Sequence, residues 1–205
     1  MRVLRYFAWF CCYAGLVASQ ATAQVPASAA KHRAELTRNA RAIAGINAPV
    51  ALYAAQIHQE SAWKSNARSH VGAQGLAQFM PATAKWIAGL YPELAANAPY
   101  NVSWALRAVV QYDDWLFKRI KAVDDCQRWA MTLSSYNGGL GWVQRDQALA
   151  ARNGLNRQLW FGHVETVNAG RSKANWNENR NYPKRIIYTH QPKYIRAGWG
   201  QGVCL

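Results

Sequence analysis

The stretch Gln59-Glu60-Ser61-Ala62-Trp63, followed by the run from Ser69 to Thr83, decides how the rest of the chain is read. Upstream of it, Val50, Tyr53/Ala54 and Ile57 recur at the spacing of one helix face, and Pro49 suits a helix start. Glu60 follows Ile57 by three residues, so its side chain should flank the buried stripe and not point into water. Lys64-Ser65-Asn66 reads as a turn, which places Glu60 near the helix C-terminus. A carboxylate there resists ionisation: desolvation penalises the charge, and the negative end of the helix dipole repels it. A carboxyl kept protonated near neutral pH is suited to general-acid chemistry.

Residues 59–84 read QESAWKSNARSHVGAQGLAQFMPATA. This run resembles the soluble lytic transglycosylase family, whose pattern is E-S followed by S-x-x-G-A-x-G-L-x-Q-x-M-P-x-T-A. Two more blocks of that family follow in order: Ser135-Tyr136-Asn137-Gly138-Gly139 resembles A-Y-N-x-G, and Glu178-Asn179-Arg180-Asn181-Tyr182 resembles the last block. Asn101-Val102 opens a long helix carrying Tyr112 between them. The resemblance spans roughly residues 47–187. It implies a mainly α, lysozyme-like single catalytic domain of the goose-type lysozyme and transglycosylase kind, with a small irregular or β segment around 65–75.

The resemblance also implies site residues. Glu60 is the expected catalytic acid. Ser69 matches a serine that hydrogen-bonds near the substrate N-acetyl group, and Gln78 and Met80 match residues lining sugar subsites. Tyr136 and Asn137 match the pair facing the glutamate, where a phenol bonds the carboxyl or the substrate. Glu178 and Tyr182 are expected to support the cleft, although Pro183 disfavours helical geometry at Tyr182 and points to a loop for Glu178. Gly72 and Gly75 read as backbone devices permitting positive φ or close approach to the glycan. Trp63 and Trp86 lie close enough to the motif to stack on sugar faces, while His70 reads as a plain loop histidine.

Hydrolytic glycosidases commonly use two carboxylates, and acids are scarce near Glu60. Residues 1–112 contain Glu35, Glu60 and Glu93 and no Asp; Asp146 or Glu178 would have to fold in from afar. The scarcity favours one glutamate performing both proton transfers. The resemblance supplies such a reaction: cleavage of the β-1,4 bond between N-acetylmuramic acid and N-acetylglucosamine in peptidoglycan, without water, leaving 1,6-anhydromuramyl ends. It implies no metal and no organic cofactor. A hydrolytic muramidase of the same fold is the rival enzyme, and a non-catalytic wall-binding or assembly factor is the rival class.

The first 23 residues are expected to be a secretory signal peptide. Arg2 and Arg5 precede an apolar run from Tyr6 to Ala18, and Ala21-Thr22-Ala23 supplies a small-x-small cleavage pattern. An uncleaved anchor is the alternative, because no charge occurs from Tyr6 through Ala30. Cleavage would leave residues 24–205 as the catalytic domain, in the periplasm or cell envelope, with no stable membrane span. Losing Arg2 and Arg5 takes the formal charge from +14 to +12, which indicates an anionic partner. No nucleic-acid motif accompanies the scattered basic residues, so the expected partner is the peptidoglycan glycan strand, whose stems carry carboxylates. Secretion, conjugation and phage-lysis systems all use such domains, and the sequence does not choose among these settings. Cys126 and Cys204 remain after cleavage; in an oxidising compartment a bridge is expected over two separate thiols.

Helical spacing predicts further elements: a helix through Leu36, Ile43 and Ile46; a short one from Pro81 through Ile87; and a core helix with the stripe Val102, Leu106, Val109, Leu116, Ile120 and Val123. Shorter helices are expected through Trp129 and Leu133 and from Trp142 to Ala151. Residues 168–181 read as a polar loop, with a final helix beginning near Pro183.

Overall fold

The computed structural model describes residues 25–205, so the expected leader lies outside the described residues. The described chain is mainly α. After a short turn of helix, α1 (Ala27–Ala30), come α2 (Arg33–Ala44) and α3 (Val50–Ser61). Every residue of α3 from Val50 to Ile57 is buried. A helix apolar on all sides belongs at the centre of a domain, and α3 is surrounded by α2 and the C-terminal helices.

The C-terminus of α3 is made by Ala62 and Trp63, both left-handed, at φ 50 and 65. Non-glycine residues rarely adopt this geometry. Here it is held because the Trp63 ring is buried, with its Nε1 donating to the Tyr194 hydroxyl at 2.6 Å. Trp63 is therefore packing under the helix end and not the sugar platform the sequence suggested. The segment that follows has two isolated antiparallel bridges, Arg68 with Gln74 and Gln74 with Phe79. The Ser61 hydroxyl ties this segment to α3 by donating to the Leu76 carbonyl at 2.7 Å. At Gly75 (φ 71) a Cβ would fall 1.8 Å from the Pro99 carbonyl oxygen, so the segment can seat here only on glycine.

Pro81 opens α4 (Pro81–Leu90) at the first turn. Asn101 then caps α5 (Val102–Phe117), its Oδ1 accepting from Trp104 N at 3.0 Å. The expected core stripe is longer than this helix. Ile120 is buried beyond its end and Val123 is half exposed, because the last bonds tighten (Ile120 N to Phe117 O) and the chain turns toward the next cap. There the Asp124 carboxylate accepts Gln127 N at 2.8 Å to start α6 (Asp125–Gly138). Gly139 at φ 94 ends α6 and leads directly into α7 (Leu140–Arg152). Trp86 packs edge-on against Trp115, with ring centroids 4.8 Å apart, and takes no place in the groove described below.

The largest departure from the sequence reading lies at residues 173–184. This stretch is a helix, α8 (Lys173–Lys184), capped by the Ser172 hydroxyl and carrying Pro183 inside it. Glu178 and Tyr182 therefore both lie on a helix, and the final helix does not begin at Pro183. Proline removes the donor that would meet the Asn179 carbonyl and disfavours helix at the residue before it. That cost is outweighed by anchoring: Asn179, Arg180 and Tyr182 are all buried, and Arg180 alone donates to five oxygens. Just past the proline the helix widens into a π segment, Arg185–His190, before α9 (Gln191–Arg196).

Cys126 at the start of α6 is bonded to Cys204 in the tail, with Cα atoms 4.7 Å apart. Gln191 clamps the same tail through both polar atoms of its side chain to the Val203 backbone, at 2.9 and 3.0 Å. Closing a loop of this length constrains the unfolded chain. The double variant C126S/C204S should lose roughly 4 kcal/mol in urea unfolding, with a larger denaturant dependence because its unfolded state is more open.

Candidate active site

A groove of about 650 Å³ runs between the 65–80 segment, the end of α6 and the start of α8. Its lining includes Glu60, Ser69, Gln78, Met80, Tyr136, Asn137 and Glu178. Residues scattered over more than a hundred positions of sequence thus meet at one surface. Tyr182 is buried beneath it, and Phe79, Tyr112 and Tyr136 form an aromatic wall, with Tyr136 5.7 Å from Phe79 and 5.2 Å from Tyr112 between ring centroids.

Glu60 stands in the last turn of α3 with its carboxyl out of bulk water. Desolvation by this surround pushes its pKa up to about 8; the Tyr182 hydrogen bond opposes that rise, and the negative charge of Glu178 adds to it. The phenol that meets Glu60 is Tyr182, whose hydroxyl donates to Oε1. The Tyr136 hydroxyl instead donates to the Ala77 carbonyl at 2.7 Å, which locks the end of α6 onto the 65–80 segment.

The other expected residues divide by what their polar atoms already do. Ser69 Oγ accepts Ala73 N at 2.9 Å, so it shapes its loop as well as lining the groove. Gln78, at φ 50, donates to the Gly75 and Ala67 carbonyls at 2.8 and 3.2 Å, leaving its oxygen uncommitted. Met80 is exposed at the rim. Asn137 donates to Glu178 at 3.4 Å and accepts from Asn179 at 3.1 Å, joining α6 to α8. His70 also lines the groove.

Two carboxyls the sequence left distant have distinct fates. Asp146 is fully buried between Arg171 and Arg180, at 2.6 and 2.7 Å, and cannot reach substrate. Among the described residues, Glu60 and Glu178 are the carboxylates lining the groove. A third, Asp113, lies wholly inside the protein and takes a 3.3 Å bond from Gln56. Burial, and to a smaller extent the Glu60 charge, raises its pKa well above the usual carboxylate range. Sequence reasoning also missed the start of α8: Arg171, Ser172 and Asn175 line the groove from a stretch read as loop. The signal was present in Ser172, a capping residue three positions before Asn175.

Comparison with known proteins identifies the family. The family model described as Transglycosylase SLT domain matches residues 38–159. The chain belongs to that family. It is 36% identical over 108 residues to the membrane-bound lytic murein transglycosylase F of Shewanella halifaxensis, covering 52% of this chain and 21% of that protein. Similarity to the protein of the same name from Desulfosudis oleivorans is 29% over 147 residues, covering 66% of this chain and 31% of the relative. The chain thus matches about a fifth to a third of these relatives' length. Its mainly α, lysozyme-like fold is the one this family carries. No described helix is long and apolar enough to cross a membrane.

Two outcomes follow from the Glu60 environment. Folding lifts its pKa from 4.5 to about 8, so between those values the unfolded state releases a proton that the native state keeps, and stability falls as pH rises through that window. Glu60→Gln should therefore be more stable than the parent at pH 8, by at most about 4 kcal/mol and less where groove water solvates the carboxylate, with the advantage gone below pH 4.5; thermal melts across pH test this. Tyr182→Phe removes the bond that holds the Glu60 pKa down. NMR titration of Glu60 should then show a pKa higher by about one unit.

Proposed function

We propose that this chain cleaves the β-1,4 bond between N-acetylmuramic acid and N-acetylglucosamine in peptidoglycan without consuming water. The observation that carries the proposal is the Glu60 carboxyl, lining a groove yet held protonated near neutral pH. In its acid form Glu60 gives its proton to the glycosidic oxygen as the bond to muramic acid C1 breaks. The N-acetyl group of that sugar stabilises the positive charge developing at C1. Glu60, now a carboxylate steadied by the Tyr182 hydroxyl, takes the proton of the C6 hydroxyl as its oxygen attacks C1. The product is a 1,6-anhydromuramyl end, and Glu60 regains its proton.

The surrounding groups have matching parts. Tyr182 orients the carboxyl and prevents its pKa from rising further, which leaves the conjugate base able to accept a proton. The aromatic wall of Phe79, Tyr112 and Tyr136 gives the groove an apolar side. Ser69, Gln78, Met80, Tyr136 and Asn137 would position the sugars. The cell envelope is the matching site of action, the leader of residues 1–23 directing export there.

A hydrolytic muramidase is the second reading, favoured by one observation: Glu178 places a second carboxylate in the groove. Its bond from Asn137 and its seat on α8 make it a partner of the cleft wall under the first reading. Mass spectrometry of products from purified sacculi separates the two, anhydro ends supporting the lyase and reducing muramic acid ends the hydrolase. Under the lyase reading Glu60→Gln lowers kcat by about 10²–10⁴, the usual worth of general acid–base catalysis, whereas Glu178→Gln changes it by less than about tenfold. Undiminished turnover in Glu60→Gln would reject both readings.

A further inference from the structure

Arg171 and Arg180 share one buried counter-ion, Asp146, yet their remaining donors are treated very differently. Arg180 is saturated: Nε meets the Glu165 carbonyl, Nη1 meets Asn179 Oδ1, and Nη2 meets Asp146 and the Val164 and Val167 carbonyls. Arg171 spends Nη1 on Asp146 at 2.6 Å, while its Nε and Nη2 are buried with no acceptor. The second oxygen of Asp146 is already taken by Ala169 N at 3.0 Å. One carboxylate thus faces two guanidinium ions, and one positive charge is left over.

That surplus is at the groove. Arg171 is 9% exposed and lines the groove beside Gly138, Trp142, Gly170 and Ser172. The start of α8, a twelve-residue helix, opens at the same place: Ser172 and Asn175 both line the groove, and a helix N-terminus favours negative charge. Trp142 supplies a half-buried ring between two cations, with Arg171 5.1 Å and exposed Arg145 3.9 Å from its centroid. The backbone of Arg171 is fixed by Asn168, which accepts from its N–H at 2.8 Å and donates to its carbonyl at 2.9 Å. A buried guanidinium with two idle donors costs free energy unless a ligand supplies acceptors.

We propose that Arg171, with Trp142 and the N-terminus of α8, forms a carboxylate-binding subsite at this part of the groove. This rests on the reading that the groove holds peptidoglycan. It adds that the chain recognises an anionic substituent of the strand as well as the sugar backbone. A planar carboxylate matches the Nε/Nη2 edge of a guanidinium, two parallel donors to two oxygens; both atoms are covered in this structure, so binding requires the side chains over Arg171 to shift. Two carboxylates of the polymer have this chemistry: those of the stem peptide, and the lactyl carboxylate of muramic acid exposed when an amidase has removed the stem. Arg171 is a binding residue in this scheme and takes no part in proton transfer.

The test compares stem-bearing strands, amidase-denuded strands, and each after conversion of its carboxylates to amides. Measurements at about 1 M salt, where the screening length is about 3 Å, remove the long-range attraction of a basic protein for an acidic polymer. Amidation should raise the KM of the parent protein about tenfold on the recognised strand, with kcat within about twofold. Arg171→Gln should show the raised KM on native strands and no response to amidation. Arg171→Lys, keeping the charge without the paired donors, should fall between. A loss on denuded strands identifies the lactyl group, and a loss confined to stem-bearing strands identifies the stem. Equal KM for native and amidated strands of both kinds overturns the subsite, and needs no variant to fold. Sedimentation with insoluble wall, comparing Glu60→Gln with the double variant Glu60→Gln/Arg171→Gln, reads the subsite without turnover. Loss of wall binding in the double variant supports the subsite even if the parent shows no lytic activity, whereas unchanged binding overturns it.

Discussion

The hydrogen bond from the Tyr182 hydroxyl to the Glu60 carboxyl joins residues 122 positions apart, and the arrangement of the domain is what allows it. Glu60 must leave the central helix at its last turn, where Ala62 and Trp63 reverse the backbone through left-handed geometry. Tyr182 must arrive from the opposite end of the chain on a helix that continues past a proline. Both requirements carry conformational cost. Burial of Trp63 against Tyr194 sustains the first, and the Arg180 network sustains the second. What results is a carboxyl caught between two opposing effects, desolvation raising its pKa and a phenol limiting the rise.

Asp146 extends the same logic away from the Glu60 carboxyl. A charge this deep is tolerated only with partners, and it has two guanidinium ions, one on α8 and one on the loop before it. The pair locks α7 to α8, and so fixes the wall from which Glu178 and Asn179 face α6. Over-neutralising a single carboxylate leaves positive charge beside Trp142.

Much of this was legible in the chain. The apolar spacing before Glu60 specified a buried helix, Pro49 and the turn after Trp63 bounded it, and Gly75 marked a position of positive φ, although the group that comes close there is the Pro99 backbone and not a glycan. Other parts were misread for identifiable reasons. Pro183 carries a local penalty that only the burial of Asn179, Arg180 and Tyr182 outweighs, and that burial is not visible in the sequence, so α8 read as loop. Trp63 sits beside the motif in sequence, but proximity along a chain does not say on which side of a helix terminus a ring is buried. The stripe of α5 persisted in sequence after the helix had ended, because Ile120 is buried by a turn and not by a helix.

Local features, then, were written in the sequence: most of the helices, where glycine is required, and a Glu60 carboxyl set beside apolar surface in a region almost devoid of other carboxylates. Such properties depend on near neighbours, and near neighbours are written in the chain. Tertiary structure decided the pairings: Tyr182 and not Tyr136 on the Glu60 carboxyl, Asp146 withdrawn into the interior, and Arg171 left with donors to spare. These are choices among chemically equivalent partners, and distance settles them only after the helices have packed.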